Sequence, residues 1–452
     1  MTRHAKIVCT IGPACADSST LKSMLQAGMN CARMNFSHGT YEAHLTTMRR
    51  IRSAARALGR SVAILQDLQG PKIRTGLLEG GKAVDLEAGA SFTITTRKLV
   101  GNNKITSTTY PKLATDVRRG SRILIDDGRL ELVVKKVDHT DIHCEVVIGG
   151  ELGQSKGINL PGVAVSAPPM SRKDWADLKF GIKHHVDLVA LSFVREASDI
   201  TEVRRFLGKS HAHVKIVAKI ERPEAVKNLD AILEVTDGLM VARGDLGVEM
   251  EPERMAILQK DIIRRSNKSG KFVITATHML DSMISNPRPT RAEISDVSNA
   301  VFDGTDAVML SGETATGKYP VRAVQMMSRI VGEVESSIFA DPIQRRHRES
   351  PGLLDPDTAL VASVSYAANL MQCSCLGIFT RSGRTAWNIA KARPFSRILA
   401  FTSDRKTYQL LSLAWGVHPL MIRNYRHPSR LYESALHILK KKKLGKPGEV
   451  IL

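Results

Sequence analysis

The sequence predicts an α/β protein whose central part is a (β/α)₈ barrel of the TIM type. Eight short apolar runs of strand character are separated mostly by segments of helical period over residues 5–310. When the stretch between the third and fourth runs is set aside, the remainder is close to the roughly 250 residues usual for this fold. The eight runs are residues 5–11, 30–36, 61–68, 187–193, 214–220, 238–243, 272–276 and 306–310.

The stretch between the third and fourth runs has a different pattern and predicts an inserted domain. Residues 91–96 and 129–134 alternate between apolar and polar side chains, as half-buried strands do. The turn-forming pairs Gly70-Pro71 and Pro161-Gly162 at its two junctions suit a hinge. We therefore expect a small β-barrel that acts as a lid over the barrel mouth.

The C-terminal part predicts a separate α/β domain with a mostly parallel sheet. Residues 375–380, 397–402 and 418–423 have strand character and alternate with helical stretches such as 358–371. Proline and charged residues before them predict a linker. The expected limits are 1–68 and 170–338 for the barrel, 69–169 for the lid, 339–356 for the linker and 357–452 for the C-terminal domain.

The composition limits the classes of partner that the protein is expected to bind. The chain has 452 residues and a formal net charge of +20, a balance that can attract nucleic acid. However, the charges lie in short pairs without interleaved aromatic residues, so a solvated surface is favoured over nucleic-acid binding. No stretch approaches the roughly 20 apolar residues of a membrane span. Six scattered cysteines without a CxxC pair favour a reducing compartment, and we expect a cytoplasmic protein.

Candidate chemistry lies at the ends of two consecutive predicted strands. Lys219 and Glu221 alternate onto one face of the fifth run, and Asp245 follows the sixth. An ammonium beside two carboxylates suits an anionic substrate and Mg²⁺, because this ion takes one or two carboxylates and leaves its other positions to water and substrate oxygens. The alternative is a buried Lys–Glu pair in the barrel interior.

Other strand ends supply further polar groups to the same mouth, where barrel enzymes have their active sites. The segments are 33–39, 67–74 and 275–278. Their arginine, lysine, carboxylate and hydroxyl groups suit phosphoryl transfer, because charge that spreads over the phosphoryl oxygens must be neutralised in place. The sequence has no Walker loop and no kinase HRD motif, so side chains and the lid would hold a nucleotide.

The longest motifs resemble those of the pyruvate kinase family, and the match covers nearly the whole chain. The segments that carry the resemblance are 33–39, 67–76, 237–249, 286–293 and 303–314. The resemblance implies transfer of the phosphoryl group of phosphoenolpyruvate to ADP, which gives pyruvate and ATP in the final step of glycolysis. It also implies a homotetramer built on contacts of the barrel and C-terminal domains.

The same resemblance assigns roles to individual residues. Arg33 would bind the transferring phosphate, Lys219 would neutralise developing charge, and Thr277 would help to position the proton donor. The implied substrate-binding residues are Arg33, Lys219, Gly244, Asp245 and Thr277. The implied ligands of Mg²⁺ are Glu221 and Asp245. The implied nucleotide-binding residues are Asn35, His38, Arg74 and Lys156.

A potassium site is implied by family positions but is questioned by one substitution. The matching positions are Asn35, Ser37, Asp67 and the backbone carbonyl of Leu68. Potassium-dependent members resemble this sequence but have Glu where Lys72 stands. Because an ammonium there supplies a positive charge internally, we expect activity without K⁺. The alternative is that Lys72 points to solvent.

A turn in the C-terminal domain resembles the family's allosteric site. It follows an apolar strand and opens a helix, so hydroxyls and backbone N–H groups converge as in a phosphate nest. Its residues are Thr380, Arg381, Ser382, Gly383, Arg384 and Thr385. The resemblance implies a phosphorylated effector, a sugar phosphate or a nucleotide monophosphate; the alternative is an ordinary turn. Because family members continue beyond Leu452, we expect a truncated domain that binds a monophosphate weakly rather than fructose 1,6-bisphosphate strongly.

Two other functions stay open at this stage. One is a barrel lyase or dikinase-type domain that uses phosphoenolpyruvate or pyruvate with Mg²⁺, although the inserted lid and the 33–39 motif argue against it. The other is a catalytically silent phosphoenolpyruvate-binding sensor or basic scaffold, which the intact set of catalytic positions disfavours.

Overall fold

The computed structural model describes residues 3–340, 356–423, 428–444 and 449–452. Within these ranges no helix is both long and apolar enough to cross a bilayer. In chain order the strands are β1 Lys6–Thr10, β2 Cys31–Asn35, β3 Ala63–Asp67, β4 Val84–Leu86, β5 Ser91–Thr95, β6 Ile105–Ser107, β7 Arg122–Ile125, β8 Leu130–Asp138, β9 Asp141–Ile148, β10 Gly150–Leu152, β11 Ile158–Asn159, β12 Leu188–Leu191, β13 Lys215–Ile220, β14 Gly238–Ala242, β15 Phe272–Ala276, β16 Ala307–Leu310, β17 Cys375–Phe379, β18 Arg397–Thr402 and β19 Val417–Met421.

The α-helices of the described residues surround or connect these strands. They are α1 Ser18–Ala27, α2 Tyr41–Ala57, α3 Leu113–Asp116, α4 Arg172–Lys183, α5 Ala197–Leu207, α6 Pro223–Lys227, α7 Leu229–Val235, α8 Arg243–Glu249, α9 Met255–Lys268, α10 Arg291–Phe302, α11 Gly312–Ala315, α12 Pro320–Ala340, α13 Pro356–Leu370, α14 Arg384–Lys391, α15 Arg405–Leu410 and α16 Pro428–Lys442. Side chains cap several of them; Thr290 and Glu293, for example, form a reciprocal capping box at the start of α10.

Eight parallel strands close into a barrel in the order β1-β16-β15-β14-β13-β12-β3-β2. Strands such as β1, β3 and β14 are buried along their whole length, as expected for a parallel sheet covered on both faces. The eight predicted strands are all present, and the predicted fold class is confirmed. Since the strands are parallel, their C-terminal ends open onto one mouth; Asn35, for example, is paired with Asp67 across β2 and β3.

The opposite rim of the barrel repeats one device four times. In each case, the side chain of the residue just before a strand accepts a backbone N–H of the neighbouring strand that comes earlier in the barrel. The donor is always the second residue of that earlier strand, and the distances are 2.7–3.0 Å. The accepting residues are Asn30, Asp187, Asp237 and Asp306, and the donors are Ile7, Ile64, Ile216 and Val273. A basic side chain also contacts each acceptor. These contacts fix the register at the end of the barrel away from the mouth.

The lid lies between β3 and β12. Six of its strands form a sheet in the order β11-β7-β8-β9-β5-β6, and β4 pairs with β10 in a separate ribbon. The lid is thus a half-barrel where the sequence predicts a small barrel. Side chains of the main barrel hold it in place, because Arg195 Nη1 donates to the carbonyl of Val165 at 2.7 Å and Asn159 Nδ2 donates to Glu249 Oε1 at 3.1 Å.

The C-terminal domain has the predicted parallel sheet, in the order β17-β18-β19. Ile451 pairs in parallel with Cys375 on the other side of β17. The domain docks on the barrel through Asp306, whose carboxylate lies 2.8 Å from Lys391 Nζ and 3.0 Å from Arg393 Nη2. All three groups are largely buried, so this ion cluster ties β16 to the end of α14.

The predicted domain limits stay predictions. Helix α12 continues through Ala340, so the first residues of the expected linker, 339–340, are helical. Most of that linker, residues 341–355, lies outside the described residues, and α13 begins at Pro356.

Candidate active site

The ammonium group of Lys219 is the centre of the polar cluster at the barrel mouth. Strand β13 carries it on the same face as Glu221, whose Oε1 lies 2.8 Å from Lys219 Nζ. Asp67 Oδ1, at the end of β3, lies 3.3 Å away, and the ammonium donates to Ser192 Oγ at 2.6 Å. Burial tends to lower the pKa of Lys219, but Asp67 and Glu221 outweigh it and raise the pKa above its usual value. The group is therefore a fixed cation at neutral pH.

Arg33 supplies a second cation to the same carboxylate. Its Nε donates to Asp67 Oδ2 at 2.6 Å, and its Nη1 donates to Thr10 Oγ1 at 2.8 Å. Burial favours a raised pKa for Asp67, yet the positive charges of Lys219 and Arg33 hold that pKa below its usual value. One carboxylate thus orients two cations, and these cations can contact an anionic substrate.

Glu221 and Asp245 form the candidate metal site. Glu221 is buried and its Oε2 accepts the N–H of Phe193 at 2.6 Å. Burial raises the pKa of Glu221, and the negative charge of Asp245 adds to the rise against the opposing effect of Lys219. Among the described residues no three His, Cys, Asp or Glu groups form a metal cluster. A pair of hard oxygen ligands fits a divalent ion that completes its shell with water and substrate.

Thr277 and Gly244 meet across the ends of β15 and β14. The Thr277 hydroxyl accepts the N–H of Gly244 at 2.7 Å and donates to the carbonyl of Ala276 at 2.6 Å. Thr277 has φ +67°, which is costly for a β-branched residue. Arg243 holds this backbone, because its Nη2 donates to the Thr277 carbonyl at 2.7 Å. Strain at this turn supports a functional role for the hydroxyl.

Three of the four predicted nucleotide residues have surroundings different from this cluster, whereas Asn35 is paired with Asp67 across β2 and β3. Arg74 Nη1 donates to the Ser155 carbonyl at 3.0 Å, and Lys156 Nζ pairs with Asp126 at 2.9 Å, so both are engaged within the lid. His38 is exposed on the barrel. In the described part of the chain, none of these three side chains forms a hydrogen bond or ion pair with Lys219. A nucleotide held by all of them would bridge lid and barrel.

The predicted potassium positions already have partners. Asn35 Oδ1 accepts the N–H of Ser37 at 3.1 Å, and the Leu68 carbonyl accepts the Ser192 hydroxyl at 2.7 Å. Lys72 is half-buried and lines the cleft between lid and barrel together with Asp245. The residue therefore borders the cleft.

The predicted effector turn is compact, and some of its hydrogen-bonding groups bond to each other. Gly383 has φ +83°, and its N–H donates to Thr380 Oγ1 at 2.9 Å. The Arg381 carbonyl accepts the hydroxyl of Thr407 at 2.8 Å. The exposed members of the turn are Arg381, Ser382, Arg384 and Thr385.

Three residues of the site escaped the sequence interpretation. Thr10, Ser192 and Arg243 contact Arg33, Lys219 and the Thr277 backbone, respectively. Each stands at the end of a barrel strand or directly after one. That position was the available signal, because the C-terminal ends of barrel strands carry the chemistry.

Comparison with known proteins gives a consistent family. The family models described as "Pyruvate kinase, barrel domain" and "Pyruvate kinase, alpha/beta domain" match residues 2–324 and 358–452. Pyruvate kinase 2 of Synechocystis sp. is 44% identical over 455 residues, which cover 100% of this chain and 76% of the relative. A pyruvate kinase of Staphylococcus aureus is 45% identical over 438 residues, covering 96% and 74%.

A solved structure is similar over almost the whole length. The crystal structure of a pyruvate kinase from Cryptosporidium parvum has a TM-score of 0.93 and 39% sequence identity. The match covers 99% of this chain and 93% of that one. At this identity the similarity extends beyond the fold class to the sequence of the barrel, lid and C-terminal domain.

Loss of either carboxylate should weaken binding of a divalent ion. We expect Glu221→Gln and Asp245→Asn each to reduce Mn²⁺ affinity about tenfold or more, since each removes one of two charged ligands and outer-shell changes alone cost 10–100-fold. Enhancement of water-proton relaxation by bound Mn²⁺ measures this without any turnover. Glu251→Gln, an exposed carboxylate near the end of α8, is the control. Unchanged Mn²⁺ affinity in both variants would place the metal elsewhere.

Proposed function

The chain belongs to the pyruvate kinase family, and from this premise we propose how its barrel mouth transfers the phosphoryl group of phosphoenolpyruvate to ADP. The protein is a phosphotransferase that forms pyruvate and ATP in glycolysis. The roles of individual residues in that reaction are our proposal. The observation that supports them is the Lys219 ammonium, which carboxylates of two strands and a hydroxyl of a third hold in one place.

Lys219 and Arg33 neutralise the charge of the reacting group. The transferring phosphoryl spreads negative charge over its oxygens, and the enolate left behind carries another. Both cations are held by Asp67 before substrate arrives, so little reorganisation is needed as this charge develops. At 3.3 Å, the Lys219–Asp67 contact is the longest of the three polar contacts of Lys219. It is therefore the contact that a phosphoryl oxygen would replace most easily.

Glu221 and Asp245 would hold Mg²⁺, which supplies Lewis-acid stabilisation of substrate oxygens when it is bound. Gly244 directly precedes Asp245 and presents no side chain to an approaching carboxylate group. Thr277 orients the proton donor to the enolate, because its own hydroxyl is too weak an acid to act unaided. Because its hydrogen is donated to the Ala276 carbonyl, the Thr277 oxygen acts as an acceptor. It accepts the N–H of Gly244 and has a second lone pair that suits a water molecule.

Nucleotide binding is assigned to Asn35, His38, Arg74 and Lys156. Lys156 now pairs with Asp126, so it must leave this partner or share it when polyphosphate enters the cleft. The exchange of a carboxylate for a phosphate is favourable for an ammonium at the rim of a lid. This supports a lid that engages ADP through its own basic residues.

Potassium, effector and assembly are further proposals. Lys72 in the cleft supports activity without K⁺, in place of an ion bound by Asn35, Ser37, Asp67 and Leu68. The Gly383 turn supports a phosphorylated effector at residues 380–385. We also propose a homotetramer and a cytoplasmic location, which only membership of the family supports. In the alternative function, a catalytically silent phosphoenolpyruvate-binding sensor, the same site would bind substrate without converting it.

Replacement of Lys219 tests the reaction and its central residue together. We expect the wild-type protein with Mg²⁺ to form pyruvate from phosphoenolpyruvate and ADP, and Lys219→Met to lower kcat about 100- to 1,000-fold or more, because a preorganised charge contact is lost. Lys215→Met is the control, since this lysine is on the same strand but pairs with Asp237 at the opposite rim. A variant at Lys219 with kcat within tenfold of wild type would contradict the assignment, and a folded but inactive wild type would favour the sensor.

Exchange of Lys72 tests the potassium proposal. We expect equal wild-type kcat in K⁺ and in tetramethylammonium, and a Lys72→Glu variant that requires K⁺, because the internal positive charge is replaced by a negative one. Lys82→Glu, at an exposed lid position, should keep the wild-type behaviour. Strict potassium dependence of the wild-type protein would contradict the proposal.

A further inference from the structure

We propose that Ser192 is a positioning residue for the catalytic ammonium, and that the Ser192–Phe193 turn after β12 holds Lys219 and Glu221 in their working geometry. This inference rests on the proposed role of Lys219 and goes beyond it, since it concerns a side chain that touches the ammonium rather than the substrate. Ser192 is buried, with 5% of its surface exposed.

The direction of each hydrogen bond of Ser192 is fixed by chemistry. An ammonium group has three donors and no acceptor, so Ser192 Oγ must accept from Lys219 Nζ at 2.6 Å. The one hydrogen of the hydroxyl is then free to donate, and the Leu68 carbonyl at 2.7 Å is its short acceptor. The carboxylate of Asp67, at 3.5 Å, is too far for a good hydrogen bond. A directed chain thus runs from Lys219 through Ser192 to the backbone after β3.

The neighbouring residue serves the second half of the site. Phe193 has φ +56°, a left-handed conformation that is costly for a non-glycine residue. In this conformation its N–H donates to Glu221 Oε2 at 2.6 Å. Backbone strain of this kind persists where the surrounding structure requires it, and it clusters at functional sites. One short turn therefore contacts both the ammonium and the candidate metal ligand.

The loop after β3 packs directly against this turn. A Cβ atom at Gly70 would lie 2.9 Å from Ser192 Cβ and 2.9 Å from Phe193 Cδ2, which is closer than packed atoms allow. Gly70 also has φ +69°, so glycine is favoured there on two grounds. This close approach brings the Leu68 carbonyl within reach of the Ser192 hydroxyl. The turn is consequently held by contacts from two strands.

The hydroxyl adds a third, neutral contact to the two carboxylate contacts of Lys219. Without it, Lys219 is located only by Glu221 and Asp67, and one of its N–H groups loses its acceptor in a buried site. The ammonium would then move towards the carboxylates and away from the reacting group. Glu221 would keep the N–H of Phe193, so the metal site should survive. The inference thus predicts damage to catalysis without damage to metal binding.

The test compares three variants in one set of measurements. They are Ser192→Ala, Ser192→Thr and the control Ser266→Ala, whose buried hydroxyl donates to the Lys271 carbonyl at 3.2 Å near the opposite rim. We expect Ser192→Ala to lower kcat about 10- to 100-fold, as for loss of a hydrogen bond to a charged group, with KM for phosphoenolpyruvate changed far less. Its affinity for Mn²⁺ and its Tm should match those of Ser266→Ala, and the hydroxyl of Ser192→Thr should restore most of kcat.

Three results would overturn the inference. One is a Ser192→Ala kcat within about twofold of an active wild type. Another is a parallel loss of Mn²⁺ affinity and Tm beyond that of Ser266→Ala, which would make the serine a structural residue. The third is a Ser192→Thr variant that folds and binds Mn²⁺ normally yet is as slow as Ser192→Ala. A wild-type protein without turnover would instead contradict the proposed function, and the inference with it.

Discussion

The site depends on charges that are removed from water and must therefore hold one another. Lys219, Asp67 and Glu221 are nearly buried, and an unpaired charge at any of these positions would cost several kcal/mol. The compensation comes from geometry, because Asp67 faces two cations and Lys219 faces two carboxylates. Mutual pairing keeps both ammonium and Asp67 carboxylate charged at neutral pH, and a fixed cation is what an anionic substrate meets at the mouth.

The two ends of the barrel have different roles: one end stabilises the fold, and the other carries the chemistry. At one rim, acidic or amide side chains before alternate strands bond the preceding strand, and Asp306 uses the same position to hold the C-terminal domain through Lys391 and Arg393. At the other rim, polar side chains contact one another across strands and also bond backbone groups of the loops that follow the strands. Strand β16 belongs to both, since the Leu310 carbonyl at its far end accepts the hydroxyl of Thr10, which in turn bonds Arg33.

Much of this arrangement could be read from the sequence because it is local. The eight strands are continuous apolar runs, and alternation along β13 is enough to put Lys219 and Glu221 on one face. The shape of the lid was less accessible, because the way its strands pair depends on contacts between distant residues. Residues 339–340 belong to helix α12, although the proline and charged residues that follow them in the sequence predict a linker from 339 onward. The position of Ser192 directly after a strand was a signal, but its role could not be derived from that position alone, because its contacts lie on two other strands. The left-handed φ of Phe193 was also not predictable, since no glycine stands there.

The coupling between Asp67 and Lys219 is the most direct test of this account. A double-mutant cycle would compare the free energy of unfolding of Asp67→Asn, Lys219→Met and the double variant, from urea titration of each protein. The account predicts that the double variant loses less stability than the sum of the single variants by about 1.5 kcal/mol or more, because removal of either partner alone leaves a buried charge unpaired. Additive effects within about 0.5 kcal/mol would contradict it, since the two groups would then be independent.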